Sequence, residues 1–71
     1  MVKAYILVHT SACAFMSEEV LNEAKIYNKL VSTPRELSSD CGMSVYVECP
    51  NINEVSKILD ENKIEHIIKI I

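Results

Sequence analysis

The residue with the most chemistry to offer is Cys41, in the segment Thr33-Pro34-Arg35-Glu36-Leu37-Ser38-Ser39-Asp40-Cys41-Gly42. A cysteine reacts as its thiolate, and a helix N-terminus or a neighbouring cation lowers its pKa. Arg35 in the same segment supplies such a cation, while Glu36 and Asp40 oppose it. Gly42 is the only glycine in the chain, where average usage of roughly 7% would supply about five. Glycine permits a positive φ or the close approach of another backbone, and both suit a cysteine presented at a tight turn. The same residues have plainer readings. A free cysteine is often a small buried hydrophobe. Ser38 and Ser39 can hydrogen-bond within their own loop, and Arg35 with Glu36 can form a solvated surface pair of little energetic weight. Both readings stand at this point.

The elements that must position this segment follow from periodicity. Residues 3–9 form a short apolar run suited to a buried central strand. Thr10 or Ser11 can cap a helix over residues 12–25, whose apolar residues Cys13, Met16, Val20, Leu21 and Ala24 fall at helical spacing. Tyr27-Asn28 reads as a turn, followed by a strand over residues 29–33 that Pro34 ends. Residues 43–48 alternate, with Met43, Val45 and Val47 on one face and Ser44, Tyr46 and Glu48 on the other. Asn51-Ile52-Asn53-Glu54 has the spacing of a capping box. It opens a helix with the stripe Ile52, Val55, Ile58 and Leu59, and Asn62 is placed to end it in the left-handed conformation. Residues 64–71 are a final apolar strand.

The order β-α-β-β-α-β predicts an α+β ferredoxin-like fold, a four-stranded antiparallel sheet with two helices on one face. In that topology the first two strands run the same way with the third between them. The end of the first strand and the connection after the second then share one edge, which brings His9-Thr10-Ser11 near residues 34–42. His9 could support a thiolate there, or serve as an ordinary structural histidine.

Composition bounds the function. Seventy-one residues with 49% apolar content make one domain, residues 1–71, with a single modest core. Seven Lys+Arg against ten Asp+Glu argue against a nucleic-acid footprint. The apolar run after Met1-Val2-Lys3 is too short for a signal peptide or membrane span, so the expected compartment is the cytoplasm, with no membrane partner. Three cysteines, Cys13, Cys41 and Cys49, without a Cys-x-x-Cys pair, speak against a disulfide framework, a zinc knuckle or a thioredoxin-type site. Cys13 is expected on the inner face of the first helix and Cys49 at a strand end. No catalytic triad, phosphate-binding glycine loop or paired carboxylates are recognisable, and no cofactor or resident metal is expected.

The segment Pro34-Arg35-Glu36-Leu37-Ser38-Ser39-Asp40-Cys41-Gly42 resembles the Pro-Arg-Glu-(Ile/Leu)-Ser-Ser-x-Cys-Gly motif of the selenium/sulfur carrier protein-like family. Thr10-Ser11, Ala14 and Glu18 also fit the family's pattern, so the resemblance covers most of the chain. It implies that Cys41 carries sulfur or selenium as a persulfide or selenosulfide. It also implies that Arg35, Glu36, Ser38, Ser39 and Gly42 position the carried atom, with His9 and Thr10 at the same edge. Such a protein is a substrate for other enzymes and need not turn over anything itself. Its partners would be a donor such as a cysteine desulfurase and an acceptor protein. The chain departs from the family where members often carry a glycine at the end of the first helix; here stands Lys25. Two other readings remain: a non-catalytic interaction module, able to form a homodimer through the apolar last strand, and a soft-metal site built from Cys13, Cys41 and His9.

Overall fold

The computed structural model describes residues 1–34, 36–37 and 42–71. It contains β1 (Val2–Leu7), α1 (Ser11–Glu23), β2 (Tyr27–Ser32), β3 (Met43–Cys49), α2 (Ile52–Glu61) and β4 (Ile67–Ile70). The four strands form one antiparallel sheet in the order β2-β3-β1-β4, with both helices on one face. This is the ferredoxin-like α+β arrangement. β1 and β2 run the same way on either side of β3, with Ile6 opposite Val45 and Leu30 opposite Val45.

The core lies between sheet and helices. Ala4, Ile6, Val45 and Val47 point inward from the central strands and meet Ala14 and Leu21 of α1 and Val55 and Leu59 of α2. Alternation on β3 sends Val45 and Val47 in and Tyr46 and Glu48 out, as period two requires. Helix α1 is rotated relative to the stripe its apolar residues suggest. Its fully buried positions are Ala14, Ser17 and Leu21, while Met16 is 46% exposed and Ala24 is also outside. Two of the three buried side chains on that face, Ala14 and Ser17, are small, and Leu21 is the large one. The buried Ser17 hydroxyl costs little because it donates to the Cys13 carbonyl at 2.8 Å.

The helix ends correct three expectations. Tyr27-Asn28 is already strand; the turn is made two residues earlier by Lys25, at φ 60°. There Ile26 N–H donates to the Leu21 carbonyl at 2.9 Å and Lys25 N–H to Asn22 at 3.0 Å, the paired bonds of a Schellman ending. The same device closes α2. Ile64 N–H donates to Leu59 and Lys63 N–H to Asp60, both at 3.0 Å, and Lys63 rather than Asn62 takes the left-handed conformation, at φ 57°. Ile64 is thereby committed to the helix end. Its carbonyl lies 2.8 Å from His66 Nδ1, so β4 begins only at Ile67. At the start of α2 the Asn51 side chain accepts from Asn53 N–H at 3.0 Å, and Glu54 N–H donates to the Asn51 backbone carbonyl.

A lysine in the left-handed region carries a steric cost that glycine does not. Lys25→Gly is expected to raise stability by about 0.5–1 kcal/mol, read as an increased urea midpoint at unchanged slope.

Candidate functional site

The register places the site's frame at one end of the sheet. Leu7, the last residue of β1, lies opposite Ser44, and Ser32 at the end of β2 lies opposite Met43. The chain leaving β1 and the connection between β2 and β3 therefore share that end, as the topology predicts. The connection is closed at its base. Thr33 N–H donates to the Gly42 carbonyl at 3.0 Å, one step beyond the last paired residues. Gly42 sits at φ +70° with nothing within 4 Å of where a Cβ would be. Of the two reasons for a glycine here, the operative one is conformational. Further in, Leu37 N–H donates to the Pro34 carbonyl at 3.0 Å, and Glu36 is exposed.

Across the same end, Thr10 caps α1, its Oγ1 accepting from Cys13 N–H at 3.2 Å. The first turn of α1 holds no acidic residue, so the partial positive charge of the helix N-terminus is not offset by a carboxylate there. His9 Nε2 lies 3.4 Å from Glu65 Oε2, both side chains largely exposed. Of the residues singled out in the sequence, His9, Thr10, Glu36 and Gly42 are thus at or beside this end. Arg35, Ser38, Ser39 and Cys41 lie outside the described residues, as does Asp40.

The other two cysteines fill structural positions. Cys13 is half-buried and packs against the core. Cys49 closes β3, 2% exposed, and burial pushes its thiol above the ordinary range. Among the described residues no group of three His, Cys, Asp or Glu side chains could hold a metal ion, and no helix is long and apolar enough to cross a membrane.

Ser44 was legible only in part. Alternation puts it on the face away from the helices, between Leu7 and Val31, yet it is fully buried and its Oγ has no hydrogen-bond partner. Leu7 beside it is also buried despite facing away from the helices. A hydroxyl left in this state costs roughly 1–3 kcal/mol, and no sequence pattern announced it.

Together these features define a small ferredoxin-like domain with a cysteine-bearing connection pinned at one end of its sheet. The chain belongs to the family described as "Putative Se/S carrier protein-like", whose model matches residues 3–68. No curated protein and no solved structure matches it.

Gly42→Ala forces a side chain into the left-handed region and is expected to cost about 1–2 kcal/mol in urea unfolding, with Gly42→Asn costing less. The raised pKa of Cys49 sets a pH dependence. The folded state holds this proton more tightly than the unfolded chain, so the linked stability is complete below the unfolded thiol's pKa. It is lost as pH rises through the folded value. Tyr46, raised by burial and by donating to Glu48 Oε2 at 3.0 Å, acts in the same direction. Urea midpoints are therefore expected to fall on the alkaline side, from the ordinary thiol range upward.

Proposed function

We propose that the chain is a sulfur or selenium carrier that holds the chalcogen on Cys41 and passes it between partner proteins. The observation that carries this reading is the family match, which runs through the whole Pro34-to-Gly42 motif. The described frame is consistent with it: the connection is anchored at its base by the Thr33–Gly42 bond and stands at the same end as the N-terminus of α1.

The chemistry is thiol–persulfide exchange. The Cys41 thiolate attacks the terminal sulfur of a donor cysteine persulfide. The donor's S–S bond breaks, the donor cysteine leaves as a thiolate, and Cys41 carries the persulfide with the terminal proton. An acceptor nucleophile then attacks that terminal sulfur and regenerates the Cys41 thiolate. No external oxidant or reductant is consumed. A selenium donor gives the analogous selenosulfide. Arg35 would favour the anionic forms of both, Ser38 and Ser39 would offer hydroxyl donors to the carried atom, and Glu36 would position the segment rather than touch the anion. The carrier turns over nothing alone, since both bond exchanges require a partner.

Incubation of the full chain with a cysteine desulfurase and free cysteine is expected to add the mass of one sulfur in intact mass spectrometry. The addition should be removable by dithiothreitol and absent from Cys41→Ala. Cys13→Ser is expected to load like the wild type. Equal loading of Cys41→Ala removes Cys41 from the mechanism.

A further inference from the structure

The sheet face opposite the helices carries a feature that the carrier reading does not use. Tyr5 on β1 and Tyr46 on β3 are cross-strand partners, their ring centroids 5.6 Å apart and their planes at 57°. Tyr27 on β2 meets Tyr46 edge-on at 6.4 Å and is 56% exposed. The same register sets Lys29 opposite Tyr46 and Lys69 opposite Tyr5. One row across all four strands therefore reads Lys29, Tyr46, Tyr5, Lys69. Lys3 stands on this face in the next row, opposite Glu48.

The charge of the face runs against that of the chain. The formal net charge is −3, yet among the described residues the paired strands place three lysines and one carboxylate, Glu48, on this face. Six of the ten carboxylates sit on α1 and α2, on the other side of the sheet. An approaching polyanion is attracted by the sheet and repelled by the helices. A second copy of this face is disfavoured, because stacking two such sheets sets lysines against lysines around the rings.

We propose that this open face binds single-stranded nucleic acid, with unpaired bases stacking on the tyrosine row and phosphates held by Lys3, Lys29 and Lys69. A four-stranded sheet offering aromatic side chains from its central strands is a general solution for stacking splayed bases. The tyrosines supply sequence-tolerant contact, and the flanking lysines track a backbone. An acidic protein would satisfy the charge but makes no particular use of a ring array running across three strands. The proposal stands whether or not Cys41 carries a chalcogen.

With three lysines on phosphates, the logarithm of affinity should fall with the logarithm of salt at a slope of about −2, a loss of about 20-fold between ~50 and ~200 mM. The test is fluorescence anisotropy of the full chain with short labelled RNA and DNA single strands of mixed sequence. A duplex of the same length and heparin, a polyanion without bases, serve as competitors. Single strands are expected to bind, with duplex and heparin competing weakly. Preference for RNA or for DNA supports the proposal and names the source. Tyr46→Leu and Tyr5→Leu should each weaken binding about 10-fold, while Tyr5→Phe, which keeps the ring, should bind like the wild type. Lys69→Glu should weaken binding and flatten the salt slope. Circular dichroism and urea midpoints identify any variant that fails to fold, and Tyr5→Phe and Lys69→Glu then carry the test. No binding of single strands at low salt overturns the proposal. So does unchanged binding in folded Tyr→Leu and Lys69→Glu variants, heparin competing as well as the single strand, or capture of an acidic protein through these residues without oligonucleotide binding.

Discussion

A single backbone hydrogen bond, from Thr33 N–H to the Gly42 carbonyl, governs what this domain can present. It lies just outside the last paired residues of β2 and β3, Ser32 and Met43. It fixes the two ends of an eight-residue stretch about one strand spacing apart. The bond is possible because the chain enters β3 through a positive φ, and glycine occupies that position without steric cost. The connection therefore starts and ends on a hydrogen-bonded base. The inward side chains of β3, Val45 and Val47, hold that base to the core.

Most of the architecture was readable from periodicity, because the residues that set it have one dominant role each. The alternation on β3 and the stripe Ile52, Val55, Ile58 and Leu59 on α2 separate apolar from polar sides cleanly. Helix α1 was harder. Beside Leu21 its buried face holds Ala14 and Ser17, whose small size matters more than their hydrophobicity. A pattern based on apolar content selects Met16 and misses Ser17. The ends of elements were less legible for a similar reason. Lysine is a poor candidate for the left-handed conformation, yet both helices end on one, so the turn before β2 and the start of β4 were each displaced. The topology then followed from element order, and with it the shared edge of His9, Thr10 and the β2–β3 connection. The family was legible through the motif of the connection, whereas the exposure of a thiol depends on tertiary neighbours that spacing does not encode.

The two faces of the sheet divide the work. One buries the aliphatic residues that hold the domain together, and the helices that cover it carry most of the negative charge. The other keeps its aromatic and basic residues outward. Toward the connection it becomes apolar and closed, where Leu7 and Ser44 are both buried although they face away from the helices. The unpartnered Ser44 hydroxyl lies in that closed region, two residues after Gly42, at a position where valine or alanine would avoid the cost of an unmade hydrogen bond.

The twin helix endings reach further than local geometry. Leu21-Asn22-Glu23-Ala24-Lys25-Ile26 and Leu59-Asp60-Glu61-Asn62-Lys63-Ile64 make the same bonds at the same points of two successive strand–helix–strand halves. The domain is thus an approximate internal duplication, β1-α1-β2 matched by β3-α2-β4, with each half supplying one outer and one central strand. Residues 33–42 are the joint between the halves. The copy is not complete: β2 follows Ile26 directly, whereas Glu65 and His66 stand between Ile64 and β4. A scaffold that states its fold twice holds the joint between its halves from both sides.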